Sequence, residues 1–137
     1  RQKNLSRQEV FFAKYSNYFK PPKINPNANT ALLAFPILIS ENAPFTRKDF
    51  QIYLEQREIQ TRVCFTGNVL RQPMMKGLEY KAINGGFPNA DSVMERSVLL
   101  PVHHAMTSAM FDRLHETIED FLRTRLSQNS SLNGGPR

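Results

Sequence analysis

Phe11, Tyr15, Tyr18 and Phe19 recur at helical spacing, which predicts a helix over residues 6–19. Ser6 and Glu9 have capping-box spacing at its start, and Leu5 and Val10 are placed as a hydrophobic staple. Pro21 and Pro22 stop it, and residues 21–30 form a Pro/Asn linker without periodicity. Residues 31–40 are apolar on both alternating faces and predict a buried strand. Pro36 within it cannot donate to a ladder and argues for an edge position or a bulge. Thr46 with Asp49 approximates a capping box and Phe45 with Phe50 a staple, so a second helix runs to about Arg57 with Phe50, Tyr53 and Leu54 inward. Ile59, Thr61, Val63 and Phe65 then share one face of a second strand.

Residues 66–88 carry little regular pattern and several Gly and Pro, the mark of a functional or mobile loop. Asn89 is placed to cap a short helix through about Ser97, with Val93 and Met94 as its apolar positions. A third strand follows over residues 98–102. Thr107 caps a final helix, with Met106 and Phe111 as its staple. Its apolar face is Met110, Phe111, Leu114, Ile118, Phe121 and Leu122. Residues 127–137 form a polar tail expected to be disordered. The element order predicts a small α/β (α+β) sandwich, about three strands with helices on one face.

The chain's 137 residues suffice for one hydrophobic core. The longest apolar run, residues 31–39, is too short to span a bilayer, and no signal-peptide apolar region is visible. Five of the six net positive charges fall in residues 1–24, beside Phe11, Phe12, Tyr15, Tyr18 and Phe19. Basic residues interleaved with aromatics can bind nucleic acid, but an aromatic stripe on a helix is more often a packing face, so no nucleic-acid partner is expected. The aromatic face is large enough to suggest packing on something outside this domain.

Few residues suggest catalysis. Cys64 is the lone cysteine, which excludes an internal disulfide and any cysteine-rich metal site, and its place in a strand suggests an inert thiol. His103 and His104 are adjacent and would point to opposite faces of a strand, with no Asp, Glu or Cys at ligand spacing, so no metal site is expected. His103 reads as a structural histidine, and His115 stands alone on the last helix. No phosphate-binding glycine motif is present. The densest polar cluster is Thr66, Gly67 and Asn68 followed by Arg71 and Gln72, at the end of the second strand. A glycine that admits close backbone approach, two amides and an arginine able to grip a phosphate are a plausible ligand loop. Composition alone favours the other reading, a turn with an exposed arginine.

Residues 58–73 (EIQTRVCFTGNVLRQP) and 87–107 (FPNADSVMERSVLLPVHHAMT) resemble the C-terminal part of the DegT/DnrJ/EryC1/StrS family of pyridoxal-phosphate (PLP) sugar aminotransferases and sugar dehydratases. That family commonly shows a tyrosine–proline–x–proline–leucine–histidine–x–glutamine–proline loop, then a helix, a leucine–proline–leucine–histidine strand and a threonine-capped helix. Gln72-Pro73, Leu100-Pro101, His103 and Thr107 match. Phe65 replaces the tyrosine, and Asn68 and Leu70 replace the proline and histidine. Phe65-Thr66-Gly67-Asn68 with Arg71-Gln72-Pro73 instead resembles the nucleotide-hexulose 3-dehydrase subgroup of lipopolysaccharide and deoxysugar pathways.

The resemblance covers about residues 1–126. It implies the small C-terminal domain of a type I PLP-dependent transferase fold. Residues 1–20 would be the interdomain connecting helix, 21–30 a linker, 31–126 the small domain and 127–137 the tail. The resemblance further implies a fragment, inactive and without bound cofactor by itself, whose missing N-terminal domain holds PLP or PMP. Lys76 and Lys81 do not stand at the family's Schiff-base position. Thr66, Gly67, Asn68, Arg71 and Gln72 are implied contacts to a nucleotide-sugar substrate, with Arg62 a further candidate. The complete enzyme would be a cytoplasmic homodimer without a membrane partner, either an aminotransferase or a 3-dehydrase, since the deciding residue is absent. Alternatives are a free-standing small-ligand-binding or regulatory α/β module and a basic nucleic-acid-binding domain.

Overall fold

A computed structural model describes residues 1–132 of the chain. Four helices, α1 (Gln2–Ala13), α2 (Arg47–Glu55), α3 (Pro88–Arg96) and α4 (Ser108–Leu132), accompany four strands, β1 (Phe19–Lys20), β2 (Phe35–Ile39), β3 (Arg62–Val63) and β4 (Ser97–Leu100). The sheet order is β1-β2-β4-β3, antiparallel throughout. In β2, Phe35, Ile37 and Ile39 are buried while Pro36 and Leu38 are half-buried, as the pleat requires. Phe35 stands opposite Leu100 and Ile37 opposite Val98, so one face of the sheet carries the core. Leu54 of α2 and Leu114, Ile118, Phe121 and Leu122 of α4 complete it.

Local signals fixed α2 and the start of α4. Thr46 accepts from the Asp49 amide at 3.2 Å, and Asp49 accepts from the Thr46 amide at 2.9 Å, a reciprocal capping box. Those bonds also hold the Asp49 carboxyl below its usual range. Thr107 Oγ1 accepts from the Met110 amide at 3.3 Å. Pro36 lies in β2 between two strands, yet β1 reaches only Leu38 and Ile39, so one side of Pro36 has no neighbouring strand. The expected local edge is therefore present within a central strand.

Other expectations are corrected. The first helix begins at Gln2, with Ser6 and Glu9 inside it rather than at its cap, and Val10 is exposed. Tertiary bonds explain the shift: Asn4 Nδ2 donates to the His103 carbonyl at 2.8 Å, and Gln8 Nε2 to the Pro101 carbonyl at 3.1 Å. The helix ends at Ala13, so Phe19 enters a strand that sequence reading had placed in the helix, and the sheet has four strands rather than three. The aromatic face packs inside this domain. Phe12 lies 5.3 Å from Phe19 and 5.5 Å from Phe35 between ring centroids, and all three are fully buried. No aromatic ring of that set remains as an open stacking platform except in part Tyr15 and Tyr18, and the Tyr15 hydroxyl donates to Glu119 at 2.7 Å.

β3 is two residues long, and Val63 and Phe65 are exposed rather than inward. α3 starts at Pro88 with Phe87 at its N-cap, not Asn89. It packs against β2 and β4, where Val93 borders a hollow with the outward Pro36 and Leu38 and with Cys64 and Ser97, so not every helix sits over the core face. His103 and His104 lie beyond β4 in a turn, both exposed, with His103 Nδ1 accepting from the Ala105 amide at 3.3 Å. α4 continues to Leu132, so residues 127–132 are helical where a tail was expected. The remainder of that tail, 133–137, lies outside the described residues. Among the described residues no helix is long and apolar enough to cross a membrane.

Candidate functional site

The loop after β3 is built on α3. Phe65 takes a left-handed conformation with φ 51° and is 87% exposed, so its ring points to solvent at the loop's entrance. Gly67 follows with φ 66°. A Cβ on Gly67 would lie 2.2 Å from Met94 Cβ and 2.4 Å from Met94 Cα. The glycine was expected to admit a ligand, but it admits α3. Gly67→Ala combines a backbone overlap with left-handed strain, and should cost about 2–4 kcal/mol. Urea unfolding of the variant against the parent chain reads this; an unchanged midpoint would mean that α3 yields freely.

Asn68 is buried. Its Oδ1 accepts from the Leu70 amide at 3.0 Å and caps a short 3₁₀ turn over Val69–Arg71, while Nδ2 donates to Asp91 Oδ1 at 2.8 Å. Arg71 grips the same carboxylate with two bonds: Nε donates to Oδ1 at 3.0 Å and Nη2 to Oδ2 at 2.8 Å. The Arg71 bonds, then the Asn68 bond, pull the Asp91 carboxyl down to about 2. Gln72 Nε2 donates to the Thr66 carbonyl at 3.1 Å and closes the loop on itself.

Gly67, Asn68, Arg71 and Gln72 therefore come together around Asp91 and Met94. Much of their polar capacity is spent within the chain. What faces outward is the exposed Thr66 side chain and the remaining N–H groups of Arg71, with Phe65 beside them. Asp91 is the residue sequence reading missed. Its partners lie 20 and 23 positions away, a pairing that no local spacing announces. Arg62 is exposed on β3 and borders a separate apolar groove of about 360 Å³ with Leu99, Met106 and Met110.

Among the described residues no group of three His, Cys, Asp or Glu side chains converges. Every lysine is exposed, Lys76 and Lys81 included, so this stretch offers no enclosed amine to a pyridoxal aldehyde. The residues present do not fit PLP as its covalent anchor.

The DegT/DnrJ/EryC1/StrS aminotransferase family profile matches residues 1–119. The chain belongs to this family. Within it, a Saccharopolyspora spinosa protein named dTDP-4-dehydro-2,6-dideoxy-D-glucose 3-dehydratase is 34% identical over 101 residues, which are 74% of this chain and 22% of that protein. The lipopolysaccharide biosynthesis protein RfbH of Salmonella typhimurium is 23% identical over 121 residues, 88% of this chain and 28% of that protein. The chain thus spans about a quarter of the curated relatives' length. A DegT/DnrJ/EryC1/StrS aminotransferase structure from Brucella abortus superposes with a TM-score of 0.68 at 22% identity, covering 87% of this chain and 30% of the other. The fold is therefore that of one portion of these enzymes, as the resemblance implied.

Proposed function

We propose that this chain is the small C-terminal, substrate-facing portion of a PLP- or PMP-dependent enzyme acting on a nucleotide-linked 4-keto-hexose. Either an aminotransferase or a 3-dehydrase fits. Polysaccharide or deoxysugar biosynthesis in the cytoplasm is the setting, and the complete enzyme is a homodimer. The observation that carries the reading is the family match across residues 1–119, which includes the loop folded on α3. Phe65, Thr66 and the outward edge of Arg71 touch the substrate; Gly67, Asn68 and Gln72 hold them in place. α1 packs in this core and also leads toward the cofactor domain. When bound in that domain, the cofactor supplies the electron sink, and no step of that chemistry is assigned to residues 1–137.

The test is to read the coding sequence upstream of Arg1. A long open frame encoding a cofactor domain supports the proposal. A lysine at its Schiff-base position selects the aminotransferase, and a histidine there selects the 3-dehydrase. A frame that starts within a few codons of Arg1 removes the enzyme reading and leaves a free-standing ligand-binding module.

A further inference from the structure

The Arg71–Asp91 pair changes what this loop can recognise. A guanidinium presents five N–H donors in one plane. Asp91 occupies the one on Nε and one on Nη2. The donors on Nη1 and the second on Nη2 have no partner among the described residues, and the Arg71 side chain is 62% exposed. Asp91 cancels the formal charge, and Glu95, one turn further along α3, adds to the negative field at Arg71. The ion pair as a whole is therefore neutral, while its free edge still presents aimed N–H groups. A phosphate oxygen gains most from an uncompensated cation. A carbonyl or hydroxyl oxygen gains from aimed N–H groups without needing that charge.

Resting on the proposed function, we propose that Asp91 is a positioning and specificity-determining residue, holding Arg71 for an uncharged oxygen of the nucleotide sugar rather than for its diphosphate. Three contacts tie that carboxylate to the loop, from Arg71 Nε, Arg71 Nη2 and Asn68 Nδ2. Removing its charge while keeping its shape would free Arg71 to act as an ordinary cation. The pair would then favour anions over neutral acceptors.

Asp91→Asn tests this twice. The first readout needs no substrate. In the 137-residue chain, amides of Leu70, Arg71 and Gln72 should exchange about tenfold faster while those of α4 keep their rates, because the loop loses its anchor but the core does not. Unchanged loop exchange would overturn the positioning role. The second readout is kinetic, in the complete enzyme. The expected result is a KM for the nucleotide sugar raised about tenfold with kcat within about threefold, and inorganic phosphate becoming a tighter competitive inhibitor. Asp91→Glu keeps the charge, so its phosphate inhibition should stay at the parent level.

A merely structural residue would weaken substrate and phosphate together; that result, or an unchanged KM, overturns the inference. Inhibition by the nucleoside diphosphate alone separates the sources of the neutral oxygen. The uncharged nucleoside serves as the control for that diphosphate: its inhibition weakens in Asp91→Asn if the acceptor is on the base, and holds if it is on the sugar. Failure of the functional reading looks different: the parent enzyme turns over no nucleotide sugar, while the exchange result still stands or falls by itself.

Discussion

Phe12→Ala should cost the chain about 3–5 kcal/mol of folding stability, the range for deleting a fully enclosed phenyl group. Phe12 has no exposed surface. Its ring meets Phe11 edge-on at 5.1 Å, Phe19 edge-on at 5.3 Å and Phe35 in a stack at 5.5 Å. Those partners come from α1, β1 and β2, so the residue joins the first helix to the sheet. The loss is a cavity term added to a transfer term, because three rigid rings cannot collapse into the space. If α1 served mainly to reach another domain, the substitution would cost below about 1 kcal/mol, as at an exposed site. Urea unfolding followed by far-ultraviolet circular dichroism decides between these, and a small loss would remove α1 from this core. Phe11, Phe12 and Phe19 are all covered by this core and offer no open stacking surface.

Parts of this fold were readable from neighbours in sequence, and others depended on partners far away. Thr46 and Asp49 are three residues apart, and their reciprocal cap formed as their spacing announced. Thr107 did the same for α4. Ser6 and Glu9 offered the same pattern and were overridden. Gln8 and Asn4 draw the helix against the chain after β4, and bonds spanning more than 90 positions set where it lies. Phe65 was expected to continue a strand because it keeps the period of two. The backbone instead turns left-handed at Phe65 itself and again at Gly67, and the ring swings out.

The candidate site shows the same division. The sequence named the loop through Thr66, Gly67, Asn68, Arg71 and Gln72, and four of these converge. It could not reveal that Asp91 and Met94 are the surface they fold on. The consequence is chemical as well as structural: an arginine that looked like a phosphate clamp is already engaged. Charge compensation of that kind is invisible until the pair is seen in space.

Acid should loosen the contact between α1 and α4 from about pH 6.5 downward, before most carboxylates are protonated. His115 lies flat against Phe11, with ring centroids 3.8 Å apart and planes within 4°. Its Nε2 is 3.0 Å from Gln8 Oε1, and Gln8 Nε2 donates onward to the Pro101 carbonyl at 3.1 Å. Gln8 therefore presents an acceptor to the ring, which fixes the neutral imidazole as the Nε2–H tautomer. Burial is the main reason the His115 pKa falls to about 4, and Arg7 on α1 and Lys14 just past its end push the same way. Asp112 and Glu119 on α4 oppose the shift, but Asp112 is engaged by Arg7 and Glu119 by the Tyr15 hydroxyl.

The folded pKa lies below the unfolded value of 6.5, so the fold binds fewer protons than the unfolded chain. The contribution is complete above pH 6.5 and is lost as pH falls toward 4. Between pH 7 and 4.5 the loss should be on the order of 1 kcal/mol, less than the full shift would give because the ring is only partly buried and solvent screens it. His115→Gln keeps a neutral polar group there and removes the titration. Urea unfolding at a series of pH values should then show a steep fall for the parent chain and a nearly level line for the variant. Equal slopes would place the acid sensitivity elsewhere. A neutral histidine at this point is what lets Gln8 hold both α4 and the end of β4, so the same measurement asks whether the first helix is fastened by apolar contact alone or also through this polar relay.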